Sequence, residues 1–167
     1  MTRILLVGMM GAGKTTVGHL RADRLGCPYL DSDDEVQAAT GRTVPELFAA
    51  HGEAAFRAAE SAALADAVAV DGSVVVAVAG GAVLDPANRD LLARSGTVVW
   101  LRADPATLAG RVGDGAGRPL LDGDPAGALR RLDRVRRPLY QEVAQVTVDV
   151  DGLTADQVAD RVLAAVR

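Results

Sequence analysis

The feature that most constrains this chain is a glycine-rich octapeptide that follows a short apolar run. Residues 8–15 read Gly-Met-Met-Gly-Ala-Gly-Lys-Thr, which matches the pattern GxxxxGK[ST] in full. Among 18 basic residues, Lys14 is the only lysine. A lysine is a compact charge on a thin stem that reaches the β- and γ-phosphates of a nucleotide through a tight loop, whereas arginine carries a planar fork. The pattern therefore predicts a phosphate-binding loop (P-loop).

The segments on either side of the loop are the ones that a P-loop requires. Residues 3–7, Arg-Ile-Leu-Leu-Val, are suited to a buried parallel strand, and Val17, Leu20 and Leu25 follow at helical spacing. The loop glycines let backbone N–H groups turn toward an anion at the positive end of the helix dipole. Thr15 offers its hydroxyl to magnesium. The sequence thus predicts a nucleotide site that uses Mg²⁺.

A dinucleotide-binding motif is an alternative interpretation of the same glycines. Gly11-Ala-Gly13 begins a GxGxxG-like pattern, and Asp31 lies about where a ribose-binding acid would follow. However, Thr16 stands in the place of the third glycine, and this interpretation gives the Lys-Thr pair no role. We therefore favour the P-loop.

The rest of the chain predicts a three-layer α/β/α fold around a five-stranded parallel sheet. Further strand-like runs lie at 28–31, 73–79, 97–101 and 145–150. Helical patterns lie at 16–25, 33–39, 44–51, 56–70, 86–93, 105–112, 125–143 and 154–166. Because helical segments separate each strand from the next, we expect parallel strands with helices on both faces. The length of 167 residues fits a single domain, 1–167.

Composition and charge exclude several classes of protein. The net charge of −4 disfavours nonspecific binding to nucleic acid or to membranes. No apolar run approaches the roughly 18 residues of a membrane span. The single cysteine, Cys27, leaves no disulfide or metal cluster, and His19 and His51 lack metal-ligand spacing. We therefore expect a cytoplasmic monomer without a nucleic-acid or membrane partner.

Carboxylates follow the second predicted strand, at the edge where ligands collect in open α/β sheets. The segment Asp31-Ser-Asp33-Asp34 faces the same edge as the P-loop. One carboxylate helps to hold the water shell of magnesium and another accepts the proton of an attacking hydroxyl, as phosphoryl transfer requires. The alternative is that Ser32 or Asp33 only caps the following helix.

Two glycine-rich segments complete the predicted site. Gly80 and Gly81 follow the third strand, where they allow a ligand close to the backbone or simply form a tight turn. Residues 113–124 lack an apolar period and carry Arg118 next to Pro119. In a phosphotransferase, such a segment is typical of a lid whose arginine closes over the γ-phosphate, although an isolated loop of this kind is more often a surface linker.

Arginines at 130, 131, 134, 136 and 137 indicate mostly a solvated helix face, interleaved with Asp133. A nucleic-acid patch does not fit, since the chain is acidic and no aromatic residue intervenes before Tyr140. Arg57 differs, because it follows Phe56 and precedes Glu60 by three positions, so that the carboxylate holds it in place.

Together these motifs resemble the shikimate kinase family in order and spacing. The matching segments are Gly-Ala-Gly-Lys-Thr-Thr at 11–16, Leu-Asp-Ser-Asp at 30–33, His-Gly-Glu-Ala-Ala-Phe-Arg at 51–57 with Glu60, Gly-Gly-Ala-Val at 80–83, Arg-Pro-Leu-Leu at 118–121 and Arg-Arg-Pro-Leu-Tyr at 136–140. The resemblance covers nearly the whole chain. It implies the fold of nucleoside monophosphate kinases with a mobile lid, and transfer of the ATP γ-phosphate to the 3-hydroxyl of shikimate in aromatic amino-acid biosynthesis.

The resemblance also implies a role for each matching residue. ATP phosphates would be bound by Gly11, Ala12, Gly13, Lys14, Thr15 and Thr16, with Arg118 as the lid arginine. Mg²⁺ would be held by Thr15 and, through water, by Asp31. Shikimate would be bound by Asp33, Arg57, Gly80, Gly81 and Arg136. Asp33 would be the base, with Lys14 and Arg118 as its catalytic partners, while Arg137 would lie on another side of the helix and contribute little.

The chain departs from the family pattern at two places. Ala79 stands where the family usually has a further glycine, which is a mild change if its φ is negative and a strained one if φ is positive. The segment 149–154, Asp-Val-Asp-Gly-Leu-Thr, lacks the basic residues that relatives often carry near adenine, so no adenine contact is assigned.

Two other functions stay open. Another small-molecule P-loop kinase, such as a gluconate kinase, would share the loop and the lid but would not need Arg57 and Arg136 to converge. A nucleotide-binding relative without catalysis is the second, and the presence of Lys14, Asp33 and Arg118 argues against it.

Overall fold

The computed structural model describes residues 1–116 and 118–166, so residue 117 of the predicted lid and residue 167 lie outside the described residues. The strands are β1 (Arg3–Val7), β2 (Tyr29–Asp31), β3 (Val74–Ala77), β4 (Thr97–Arg102) and β5 (Val146–Asp149). The helices are α1 (Lys14–Leu25), α2 (Ser32–Thr40), α3 (Val44–Ala69), α4 (Pro86–Ser95), α5 (Pro105–Val112), α6 (Pro125–Val143) and α7 (Ala155–Ala165). Short 3₁₀ turns span Ala82–Leu84 and Pro119–Leu121.

All five strands are parallel and lie in the order β2-β3-β1-β4-β5. The central strand β1 pairs with β3 on one side and β4 on the other, so that Ile4 lies opposite both Val75 and Thr97. This confirms the predicted α/β fold. The strand bounds differ from the expected ones by one or two residues, since β3 ends at Ala77 and leaves residues 78–81 free to form a loop at the sheet edge.

The structure confirms the sequence prediction of two helical segments, at 44–51 and 56–70. They lie within α3, which is interrupted at Gly52, where the non-helical backbone has a φ of 81° and a ψ of −179°. Only glycine adopts that conformation readily, so the helical backbone is interrupted at this one residue. A capping box between Thr43 and Glu46 begins the helix.

The core is built from the apolar residues of the sheet and the helices packed on it. Leu5, Val75 and Val99 are fully buried, as expected for strands that are covered on both faces. Helix α1 packs against α7, while α6 packs against α4 and α5. A smaller cluster, formed by Val36, Leu47, Phe56 and Ala63, joins α2 to α3. Among the described residues, no helix is long and apolar enough to cross a membrane.

Candidate active site

A cleft of about 740 Å³ lies beyond the carboxyl ends of the central strands, within the usual range of small-molecule sites. Ligands of open α/β sheets bind at this edge, near the point where the chain changes direction across the sheet. Here β2 and β3 lie on one side of β1, and β4 and β5 lie on the other. The cleft brings together every predicted site residue: Gly11, Ala12, Gly13, Lys14, Thr15, Thr16, Asp31, Asp33, Arg57, Gly80, Gly81, Arg118 and Arg136.

The P-loop connects β1 to α1, and the Lys14 side chain turns back over the loop. Gly13 caps the helix with φ of 98°, a conformation that favours glycine. The Lys14 Nζ atom donates to the carbonyl oxygen of Gly8 at 2.7 Å and to that of Met9 at 2.9 Å. Burial lowers the pKa of Lys14 to about 8, and the charges of Asp33 and Asp31 partly oppose this shift. The ammonium group therefore lies where nucleotide phosphates would meet the loop.

Asp31 connects the P-loop to α2 through both carboxylate oxygens. Its Oδ2 accepts from the Thr15 hydroxyl at 3.4 Å and from the Tyr29 hydroxyl at 3.1 Å, and its Oδ1 accepts from the Asp33 N–H at 2.9 Å. Asp31 is thus the N-cap of α2. The alternative that Ser32 or Asp33 serves as this cap is wrong, because the cap lies one residue before the helix begins.

Thr15 and Asp31 present only oxygen ligands, which suit a hard cation such as Mg²⁺. Within residues 1–116 and 118–166, no group of three or more His, Cys, Asp or Glu side chains is placed to hold a metal. Magnesium commonly takes one or two protein ligands and completes its shell with water and substrate phosphates. The residues present therefore fit a Mg²⁺ ion that is bound together with a nucleotide.

Asp33 lies in the first turn of α2 and remains accessible from the open cleft. The atoms around it raise the pKa of its carboxyl, chiefly by desolvation and then by repulsion from Asp31, while Lys14 and Arg57 oppose the shift. A carboxylate with a raised pKa takes up a proton more readily than a fully solvated one. Asp33 is therefore a carboxylate in the cleft that is able to accept a proton.

Arg57 lies on the opposite wall of the cleft, where α3 meets the loop after β3. Its Nη1 donates to both carboxylate oxygens of Glu60, at 2.9 and 3.1 Å, and only 2% of the Glu60 side chain is exposed. The guanidinium also lies over the Phe56 ring, 4.9 Å from its centroid. The predicted pairing of Arg57 with Glu60 is confirmed.

Gly81 leaves the space that the Arg57 guanidinium occupies. A β-carbon added at Gly81 would lie 2.6 Å from Arg57 Cζ, well inside van der Waals contact. The φ of Gly81 is −89°, which any residue adopts, so the glycine is required by space rather than by backbone conformation. The sequence predicted that this glycine lets a ligand approach the backbone. In the structure, the Arg57 guanidinium occupies part of that space.

Arg136 reaches the same loop from α6 and is 2% exposed. The expectation of a mostly solvated arginine face is confirmed, since Arg130, Arg131 and Arg134 are exposed, but the fold turns Arg136 inward. A β-carbon added at Gly80 would lie 3.2 Å from Arg136 Nη1 and 3.4 Å from the Tyr140 hydroxyl. Gly80 thus admits both groups to the wall of the cleft.

Arg137 points away from the cleft, as expected, but it is not simply solvated. Its Nε and Nη2 donate to the Asp133 carboxylate at 2.9 and 3.2 Å, and Nη2 donates to the Ala103 carbonyl at 3.1 Å. The guanidinium lies 5.5 Å from the centroid of the Trp100 ring. Arg137 is therefore expected to contribute little to ligand binding in the cleft, but it does contribute contacts that stabilise the fold.

Ala79 causes no backbone strain, since none of the non-glycine residues that the structure describes has a positive φ. Its N–H donates to the Ser32 hydroxyl at 2.8 Å, which ties the loop after β3 to α2. Alanine in place of the family's usual glycine is therefore the mild change that was expected for a negative φ. The added methyl group lines the cleft without distorting it.

Arg118 lines the cleft from the predicted lid and is exposed. The lid is anchored at its far end by Leu121, which is fully buried.

The sequence did not predict a role for Arg111, at the end of α5, which lines the cleft and donates to the Gly11 carbonyl at 3.0 Å. It also missed apolar wall residues from α3 and from the segment after β5, among them Phe48, Val150 and Leu153. The sequence offered one signal for this role, because Arg111 is a basic residue in the last turn of α5, directly before the predicted lid.

The structure combines a parallel sheet, a P-loop after its first strand, and a cleft lined by both carboxylates and arginines, which is the arrangement of a P-loop phosphotransferase. The family model described as shikimate kinase matches residues 10–167. A shikimate kinase from Symbiobacterium thermophilum is 48% identical over 163 residues, 96% of this chain and 93% of that protein. The chain belongs to the shikimate kinase family, which confirms the predicted family and kinase activity.

Solved structures agree with that assignment. A shikimate kinase from Acinetobacter baumannii in complex with shikimate has a TM-score of 0.93 and 38% sequence identity, covering 98% of this chain and 91% of that one. A gluconokinase from Sinorhizobium meliloti 1021 has a TM-score of 0.66 and 21% identity, covering 99% and 91% of the two chains. The second likeness shows a shared fold alone.

Proposed function

We propose that the chain transfers the γ-phosphate of ATP to the 3-hydroxyl of shikimate, and that the acceptor carboxylate binds between Arg57 and Arg136. The observation that carries this proposal is the charge balance of the part of the cleft lined by Arg57, Gly80, Gly81 and Arg136, which we call the acceptor wall. Arg57 pairs with the buried Glu60 and, at 3.5 Å, with the exposed Glu53, whereas Arg136 is 2% exposed and forms no salt bridge with any described residue. The Nε atoms of both arginines are buried without a hydrogen-bond partner in the described structure. One positive charge is thus left for an anionic ligand.

The donor end of the cleft accounts for the nucleotide. Backbone N–H groups from Gly11 to Thr16 and the ammonium of Lys14 receive the β- and γ-phosphates at the N-terminus of α1. Thr15 and, through water, Asp31 would hold Mg²⁺, which when bound neutralises charge on the phosphate groups. Arg118 lies on the same cleft and closes over the γ-phosphate when the lid, about 113–124, folds down.

Asp33 lies between the two ends and supplies the base. Its carboxylate accepts the proton of the 3-hydroxyl as that oxygen forms a bond to the γ-phosphorus. The bond from the γ-phosphorus to the β–γ bridging oxygen breaks, and ADP leaves with the electron pair. The raised pKa of Asp33 improves proton acceptance, and Lys14 and Arg118 stabilise the charge of the transferring group.

A coupled assay of ADP formation tests this proposal, with shikimate and gluconate compared as acceptors at equal concentration. We expect ADP to form rapidly with shikimate and only at the background rate with gluconate, and the product to carry its phosphate at the 3-position. Arg136→Ala should raise the acceptor KM tens-fold or more, while Arg134→Ala, at an exposed position of the same helix, should leave it unchanged. Equal rates with both acceptors would overturn the assignment.

The remaining expectations belong to the proposal as predictions. They are a single domain over 1–167, a monomer, a cytoplasmic location, and the absence of nucleic-acid and membrane partners. The acidic net charge of −4 supports the absence of nucleic-acid and membrane partners, and the single cysteine supports the cytoplasmic location.

A further inference from the structure

Tyr140 ends the Arg-Arg-Pro-Leu-Tyr segment at 136–140, yet the proposed reaction gives it no role. Its side chain is fully buried beneath the acceptor wall, at a position with no access to either substrate. A buried hydroxyl needs a partner, and the partner identifies what the residue does.

The Tyr140 hydroxyl lies next to Gly80 and Arg136, two of the residues that line the acceptor end of the cleft. It donates to the carbonyl oxygen of Gly80 at 2.6 Å, across 60 residues of sequence. The guanidinium of Arg136, four positions earlier on α6, reaches the same place, since a β-carbon added at Gly80 would lie 3.2 Å from Arg136 Nη1 and 3.4 Å from the Tyr140 hydroxyl. Residues four apart lie on one face of a helix, so that α6 presents both side chains to the same loop.

We infer that Tyr140 is a positioning residue for the acceptor, because its hydroxyl ties the Arg136 guanidinium to the Gly80 loop. The inference rests on the proposed function, since it concerns the same carboxylate site. Without the hydroxyl, the Arg136 guanidinium loses a polar neighbour and the Gly80 carbonyl loses its donor. The guanidinium and the loop would then move independently, and the carboxylate would no longer meet a preformed site.

The chemistry of the hydroxyl suits this connection. Burial raises the pKa of Tyr140 to about 12, and the nearby Arg136 charge only partly opposes the shift. The phenol therefore keeps its proton at physiological pH and donates to Gly80 throughout the working range. A hydroxyl both donates and accepts, which a phenylalanine ring of nearly the same shape cannot do.

Tyr140→Phe tests the inference through the kinetic parameters of each substrate. We expect the acceptor KM to rise about five- to tenfold, as for the loss of a buried hydrogen bond, while the KM for ATP stays within twofold. An unchanged acceptor KM in a folded Tyr140→Phe variant would overturn the inference.

A double-mutant cycle separates positioning from general destabilisation. If Tyr140 acts through Arg136, then adding Tyr140→Phe to Arg136→Ala should change the acceptor KM by less than twofold. If the tyrosine only supports the fold, the two effects should multiply. Multiplication would reject a positioning role.

Tyr29→Phe is the matched control, since Tyr29 is the other of the two tyrosines and its hydroxyl bonds to Asp31 on the donor side. This variant removes the same atom and should leave the acceptor KM within twofold. An equal rise in both variants would show that the acceptor KM responds to any lost tyrosine hydroxyl, which would also overturn the inference.

A spectroscopic measurement covers the case in which Tyr140→Phe does not fold. In the Tyr29→Phe protein, 3-fluorotyrosine labels position 140 alone. We expect its ¹⁹F resonance to shift when shikimate saturates the site and to stay in place with ADP. No shift with shikimate would overturn the inference. If the unsubstituted enzyme does not phosphorylate shikimate, or Arg136→Ala leaves the acceptor KM unchanged, the proposed function fails instead.

Discussion

The two ends of the cleft are built in different ways. At the donor end, the hydrogen bonds that hold Lys14 in the P-loop join residues close in sequence, since Gly8 lies six positions away and Met9 five. More distant residues add to this loop, because Arg111 donates to the Gly11 carbonyl from α5. At the acceptor end, the hydrogen bond from Tyr140 to Gly80 spans 60 positions, and Arg57, Gly81 and Arg136 come from separate elements. The P-loop of the donor end is thus specified by one local motif, whereas the acceptor end exists only when the fold brings α3, α6 and the loop after β3 together.

Lys14→Arg is the strongest test of the donor end. The Nζ atom lies between two carbonyl oxygens, at 2.7 and 2.9 Å, in a space that suits a point charge and not a planar fork. We expect kcat to fall by about a hundredfold or more, with the melting temperature within a few degrees of the original. Coupled-assay kinetics and thermal unfolding measure both. Near-normal turnover would show that positive charge alone suffices at this position.

Asp33→Asn tests the residue that lies between the two ends. The amide keeps the size of the side chain but cannot accept the proton of the attacking hydroxyl. We expect kcat to fall by about 10²–10³-fold, with the KM for ATP within a few-fold. Steady-state kinetics with each substrate varied in turn provide the measurement. If ATP binding collapsed while kcat held, Asp33 would belong to the metal site and not to the chemistry.

The contrast between the two ends explains what the sequence could predict. The order of strands and helices follows local periodicity, and the P-loop follows a contiguous pattern, so both could be predicted from the residues themselves. The burial of Arg136 could not, because nothing at 130–137 distinguishes it from exposed neighbours until α6 packs on the sheet. Arg57 and Arg136 were assigned through the resemblance to a family, and that assignment supplied what periodicity could not.

The details that escaped prediction share a physical origin. The cap of α2 is Asp31 because its carboxylate oxygen lies 2.9 Å from the Asp33 N–H, a contact that depends on how the chain turns from β2 into the helix. Gly81 is required by the Arg57 guanidinium, a neighbour from a different element that only the folded loop reveals. Such contacts are properties of three-dimensional packing and leave no local signal.

Gly81→Ala tests whether the acceptor end depends on that packing. A β-carbon 2.6 Å from Arg57 Cζ forces the guanidinium to move, so we expect the acceptor KM to rise tens-fold and the KM for ATP to change little. Ala79→Gly is the matched control two positions away. It removes a methyl group from an unstrained backbone and should leave both KM values within twofold. An acceptor KM that tolerates Gly81→Ala would mean that Arg57 does not bind the carboxylate in its observed position.

The smallest predicted effect distinguishes two adjacent arginines of α6. Arg137 holds Asp133, the Ala103 carbonyl and the face of Trp100, all outside the cleft. Arg137→Ala should therefore leave both KM values within twofold but lower the free energy of unfolding by about 1 kcal/mol, a figure kept small because the guanidinium is partly solvated. Arg134→Ala, at an exposed position, should change stability by less than about 0.5 kcal/mol. Chemical denaturation of both variants measures the difference. A rise in acceptor KM for Arg137→Ala comparable with that for Arg136→Ala would show that the acceptor end responds to the total charge of α6 rather than to one inward-facing guanidinium.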